Sequence, residues 1–158
     1  MEKRLNGMVD VSGKNVTLRR AKARAVVKLK KRIIELIKKK KTLKGDVLEQ
    51  AKVAGIMAAK KTSELIPLCH PLSVSDIKVS FALGSREVKI TSCVVARERT
   101  GVEMEALIAA TLAALTIYDM CKMYDRAIEI TDILLLEKTG GKSETFRRKK
   151  GRRKNGKN

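Results

Sequence analysis

A chain of 158 residues, 44% hydrophobic and 3% aromatic, has enough apolar content for one core, which excludes a disordered chain and leaves no room for two. Its formal charge of +19 is concentrated: Lys28 to Lys44 carries +8 and Lys138 to Asn158 carries +9. The charge therefore marks two stretches of solvated basic surface that can attract phosphates, and the rest of the chain is near neutral.

The elements follow from periodicity in chain order. Between Met8 and Leu29, apolar Val16, Leu18, Val26 and Val27 sit among alternating basic residues, which predicts an extended segment with one wet face. Ile33, Ile34, Leu36 and Ile37 fall at helical spacing, and Gly45 breaks that segment before Asp46, a helix cap. Val47 to about Leu65 carries apolar residues at i, i+3, i+4 intervals, an amphipathic helix. Pro67 and Pro71 bracket Leu68-Cys69-His70 and predict a rigid loop. Val74–Leu83 and Val88–Ala96 read as two strands joined at Gly84-Ser85. A long helix is expected from Glu103 to Met123, and a last strand from Ile128 to Leu136, ended by Gly140-Gly141. The order predicts an α+β fold of the ferredoxin-like, split βαβ kind, with an antiparallel sheet and helices on one face. Residues 1–146 form a single domain, and 147–158 form a basic, mobile tail. Between Ala106 and Tyr118 only Thr111 and Thr116 interrupt apolar residues. A helix so apolar all round needs cover, which another copy of the chain would give.

Three cysteines without a CxxC pair and a single histidine exclude a disulfide framework and a zinc site. The opening residues lack the pattern of a secretion signal, and Ala106 to Tyr118 is too short to span a bilayer, so a cytoplasmic protein away from the membrane is expected. Four features can carry chemistry, each with an ordinary structural alternative. His70 in its proline-clamped loop can serve as a turn residue bonding its own backbone. Glu103 and Glu105 open a helix otherwise devoid of charge, where acids also favour the helix dipole. Asp119 and Lys122 stand at i and i+3, the spacing of a helical ion pair, but they follow a greasy stretch. Burial there would displace their pKa values as acid–base catalysis requires. Lys44 precedes a helix start, where backbone N–H groups face anions. No Walker motif, GxGxxG or metal cluster is present, so these features by themselves support only an anion-binding enzyme.

The same segments, Met8–Ser12 (MVDVS), Lys44–Val47 (KGDV), Ala54–Ile56 (AGI) with Ala58–Lys60 (AAK), Leu65–Leu72 (LIPLCHPL), Thr100–Leu107 (TGVEMEAL), Ala113–Lys122 (AALTIYDMCK) and Lys138–Ser143 (KTGGKS), closely resemble the molybdenum cofactor biosynthesis protein C family, that of the cyclic pyranopterin monophosphate synthases. Gly13, the short hairpin at Gly84 and the basic tail depart from the family pattern. The resemblance implies a lyase that converts (8S)-3′,8-cyclo-7,8-dihydroguanosine 5′-triphosphate to cyclic pyranopterin monophosphate and diphosphate. It implies a ferredoxin-like homohexamer, a trimer of dimers with sites between subunits, fed by an upstream radical enzyme. No cofactor of the protein's own is implied, with magnesium as an optional companion of the triphosphate. Carried over residue by residue, Asp119, Lys122 and Lys44 are the catalytic group. Leu68, Cys69, His70, Glu103 and Met104 bind substrate, and Glu105, Lys14, Arg19, Lys60 and Lys138 surround its base and triphosphate. A nucleic-acid module is the rival class. Such sheets stack bases on aromatics, yet Phe81 is the sole aromatic of the two central strands, so nucleic acid is expected to meet only the tail, nonspecifically.

Overall fold

The computed structural model of the chain describes residues 7–142 and 145–149. In chain order the elements are β1 (Thr17–Lys28), α1 (Lys31–Lys38), α2 (Val47–Lys60), the short α3 (Thr62–Leu65), β2 (Val74–Leu83), β3 (Glu87–Glu98), α4 (Glu103–Cys121), β4 (Glu129–Thr139) and β5 (Phe146–Arg147). The strands form one antiparallel sheet in the order β2-β3-β1-β4-β5. Its first four members have the split βαβ order expected from the sequence.

One sheet face is built from small and branched residues in register. Ala21, Ala23, Ala25 and Val27 of β1 lie opposite Val94, Ser92, Ile90 and Val88 of β3, and all eight are completely buried. Over them lies α4, whose inward residues Ala106, Ala109, Ala110, Ala113 and Ala114 are likewise buried. Alanine on both sides lets helix and sheet approach closely, and Ser92 Oγ donates to the Ala106 carbonyl at 2.6 Å across the junction. Helix α2 packs beside α4 through Gly55, where a Cβ would stand 2.7 Å from the Ala109 carbonyl oxygen. A larger residue there would force the two helices apart.

Four boundaries differ from expectation. Strand β1 begins at Thr17 rather than near Met8: Asp10 Oδ1 accepts from the Ser12 amide at 2.9 Å and Lys14 N–H donates to the Val11 carbonyl at 3.0 Å, a turn that stops the extended pattern. Helix α2 ends at Lys60, because Lys61 N–H turns to the Ala58 carbonyl and Thr62 Oγ1 takes the Ala59 carbonyl. Strand β4 runs to Thr139, past the expected Leu136. Beyond it, β5 pairs Phe146 and Arg147 with Lys138 and Glu137. The ordered chain thus extends past the boundary set at residue 146; residues 150–158, the rest of the expected tail, lie outside the described residues.

The apolar character of α4 has a partial cover within the chain. By length and composition it could cross a membrane, and half of that window is buried inside the fold, so it serves as the core helix of this domain. Its outer side leaves Ile108, Thr111 and Leu112 half-buried and Leu115 exposed.

Candidate active site

The last turn of α4 sends Ile117, Met120 and Cys121 into the core and Asp119 and Lys122 outward. Burial pushes the Cys121 thiol up to about 11, which keeps it inert. Asp119 Oδ1 lies 2.7 Å from Lys122 Nζ, and Oδ2 lies 2.8 Å from Lys44 Nζ. Lys44 arrives on a loop fixed at several points. Gly45 adopts φ +94°, a left-handed conformation that suits glycine. Thr42 and Gly45 bond each other, and Leu43 N–H donates to the Tyr124 hydroxyl at 2.8 Å. Asp46 then caps α2 by accepting from Glu49 N–H, and Lys40 holds the same carboxylate at 2.8 Å. The two ammonium donors, Lys122 first and Lys44 second, hold Asp119 down at about 2. Asp119 in turn raises Lys122. Near neutral pH the cluster is therefore a carboxylate with Lys122 as an ammonium.

The sequence suggested that this group is buried. In the single chain it is not: the side chains of Lys44, Asp119 and Lys122 are 38%, 53% and 52% exposed. The reason is that the last turn points Ile117, Met120 and Cys121 inward and Asp119 and Lys122 outward, which leaves hydrogen bonding, rather than desolvation, to set the pKa values of Asp119 and Lys122.

A second group gathers at the other end of α4. A cleft of about 390 Å³ is lined by Lys14, Arg19, Arg99, Lys138 and Lys142, with Glu103 as its acid. Beside it a cleft of about 350 Å³ is lined by Leu68, Cys69, His70, Glu103, Met104 and Glu105. Thr100, Gly101 and Glu103 border both. Glu103 pairs with Lys138 at 2.8 Å on this border, and Gly101 makes room for it, since a Cβ there would collide with the Glu103 carboxylate. Arg19, only 7% exposed, holds the basic cleft together. Its guanidinium donates to the carbonyls of Glu98, Gly140 and Arg99 at 3.2, 3.2 and 3.0 Å. It thereby ties the end of β3 to the Gly140-Gly141 turn, whose two glycines have φ +97° and +85°.

Glu105 is the anomaly of this end. It is 3% exposed, one carboxyl oxygen has no hydrogen-bond partner, and no cation pairs with it among the described residues. Burial, reinforced by the charge of Glu103, pushes its pKa above the ordinary 4.5. The folded chain thus retains this proton where the unfolded chain has lost it, so stability contributed by Glu105 is present below pH 4.5 and is lost as pH rises through the folded value. Glu105→Gln, neutral at every pH, is therefore expected to melt higher than the parent at pH 7, with the gain vanishing towards pH 4. Melting curves across that range check it, and a lower melting temperature at pH 7 would contradict it.

The structure brings Lys44, Asp119 and Lys122 together at one end of α4. It brings Lys14, Arg19, Lys138, Glu103, Met104, Glu105, Leu68, Cys69 and His70 together at the other. Lys60, exposed at the end of α2, joins neither group. From Glu103 to Asp119 the helix rises about 24 Å at 1.5 Å per residue. Asn15, Thr17, Arg99 and Lys142 also line the basic cleft. Lys142 lay inside a family-like string and could have been found; the other three flank strand ends and carry no signal in the sequence. Among the described residues, no group of three His, Cys, Asp or Glu could hold a metal ion.

Comparison with known proteins gives this arrangement its context. A relative from Listeria monocytogenes serotype 4a (strain HCC23), named cyclic pyranopterin monophosphate synthase, is 56% identical over 141 residues, 89% of this chain and 88% of its own. Relatives of the same name from Geotalea uraniireducens (strain Rf4) and Peptoclostridium acidaminophilum are 53% and 49% identical. They cover 92% and 89% of this chain, and 92% and 90% of their own. The MoaC family model matches residues 8–141, a span that contains both groups of side chains except Lys142. The chain belongs to the MoaC family.

Proposed function

We propose that this chain is a lyase of molybdenum cofactor biosynthesis. It would convert (8S)-3′,8-cyclo-7,8-dihydroguanosine 5′-triphosphate to cyclic pyranopterin monophosphate and diphosphate. The observation that carries the reading is one carboxylate, Asp119, bonded to Lys122 and to Lys44 from a distant loop, in a chain about half identical to synthases of that name. Opening and re-closing the dihydroguanine ring requires protons to be given and taken at defined atoms. Lys122, held as an ammonium by Asp119, supplies a proton or its charge, and Asp119 fixes both lysines in place. In the phosphate step a hydroxyl oxygen of the sugar bonds to the α-phosphorus while the bond to the departing diphosphate breaks. Lys14, Lys138 and the field of Arg19 stabilise the charge that builds on the leaving oxygens. Magnesium enters only as a companion of the triphosphate.

The reading requires a second copy of the chain. The proton-transfer cluster and the basic clefts lie about 24 Å apart along α4, too far for one small substrate to touch both. Assembly of a homohexamer, a trimer of dimers, would set the Asp119 end of one subunit against the Glu103 end of another, and would bury the exposed lysines. The upstream supplier would be a radical enzyme. Incubating the protein with the cyclised triphosphate and measuring diphosphate and the pterin product tests the function; full consumption of diphosphate-releasing substrate without a pterin would contradict it.

A further inference from the structure

We propose that the C-terminal strand β5 is a clamp that fixes Lys138 in the basic cleft, which makes Phe146 and Arg148 positioning residues for the reaction. This rests on reading that cleft as the phosphate site. The need for a clamp comes from β4 itself. Its register against β1 shifts twice, between Lys22 and Ala23 and between Arg24 and Val26, and Asp132 takes φ +55°. At these shifts Leu136, Ile133 and Asp132 have no partner on β1, so the stretch of β4 just before Lys138 is incompletely paired on its inner side. Lys138 pairs with Ala21 near its end, just before the two left-handed glycines.

On the outer side, consecutive residues of the C-terminal segment grip consecutive residues of β4. Phe146 pairs with Lys138 and Arg147 with Glu137. Arg148 N–H donates to the Leu136 carbonyl, and its Nε to the Leu135 carbonyl, both at 2.8 Å. The Arg148 guanidinium also lies 5.7 Å from the centre of the Phe146 ring, which fastens the clamp to itself. Phe146 is 40% exposed and Arg148 is exposed, so these contacts add little to the core. What they constrain is the backbone of Leu135 to Lys138, and hence the ammonium that meets Glu103 at 2.8 Å. A small displacement of a charged group from its working position is costly in binding and rate. The MoaC family match ends at residue 141, so the clamp lies outside it.

Isothermal titration with inorganic tripolyphosphate at physiological salt tests the clamp. Phe146→Pro disrupts the pairing with β4 at no change of charge, and Phe146→Gly, which removes the ring beside Arg148 and also keeps the charge, is the second variant. Both are expected to bind tripolyphosphate about tenfold more weakly or worse, with a nearly unchanged melting temperature. Phe146→Tyr should bind normally. In a Lys138→Ala background, Phe146→Pro should cause no further loss, because both act through one group. Unchanged affinity in both clamp variants, or the same loss with and without Lys138, would overturn the clamp alone. If Lys138→Ala by itself left tripolyphosphate binding intact, the phosphate reading of the cleft would fall and take the clamp with it.

Discussion

Replacing Asp119 by Asn, Lys122 by Ala or Lys44 by Ala is expected to lower turnover by about 100-fold or more in each case, the scale of a lost general acid or base. The three side chains make one unit, joined at 2.7 and 2.8 Å through the two oxygens of a single carboxylate. Removing any one releases the others from the geometry the reaction needs, so double variants should lose little more than single ones. Stability should behave differently. These groups are about half exposed, and exposed ion pairs contribute on the order of 0–1 kcal/mol, so melting temperatures should barely move. A purely structural ion pair gives the reverse pattern, lowered stability with normal turnover in whatever stays folded. Single-turnover rates and melting curves on the same three variants separate the two, and near-parental rates in folded Asp119→Asn would remove Asp119 from the chemistry.

Leu115→Lys should dissociate the proposed assembly, whereas Ala113→Asp should prevent folding. The two positions are neighbours on α4 but face different surroundings. Ala113 has no exposed surface and packs against Gly55, so an aspartate there would be an uncompensated charge in the core. Leu115 is 47% exposed in the single chain, where a lysine would be tolerated. It would be costly only if another subunit covers that face of the helix. If the sites are composite, as proposed, loss of assembly also abolishes turnover. Light scattering and circular dichroism on Leu115→Lys check this, and a hexamer that survived the lysine would show that α4 is not the contact.

The parts of the fold legible in the sequence were those set by periodicity. Alternation along Val74–Leu83 and the i, i+3, i+4 spacing after Val47 were enough to order the elements, and that order left few sheet topologies to choose from. Where a polar side chain intervened, the pattern misled. Asp10 stops a strand that its neighbours would continue, and Thr62 ends α2 early. β5 is two residues long, and its grip comes from Arg148 reaching back over ten residues to the β4 backbone, which no local window contains. The candidate site was legible as residue types at the two ends of one helix, but not as the clefts and ion pairs those residues form. Glu103 and Asp119 both read as part of the substrate's surroundings, and one unbroken helix of 19 residues holds them apart. The bonds of Arg19 to three carbonyls were equally out of sight, because a basic residue in a strand carries no mark of what it will bind.

The phenol of Tyr124, which accepts from the Leu43 amide beside Lys44, has an optical consequence. The chain has two tyrosines and no tryptophan, and the other tyrosine, Tyr118, directly precedes Asp119 on α4. Emission excited at the long-wavelength edge of the ultraviolet absorption, where phenylalanine does not absorb, therefore originates from the lysine–carboxylate end of the helix. Phenol emission responds to neighbouring hydrogen bonds and charges, so the unlabelled protein carries a fluorescent reporter of events around Asp119. The Glu103 end, with no phenol of its own, is dark.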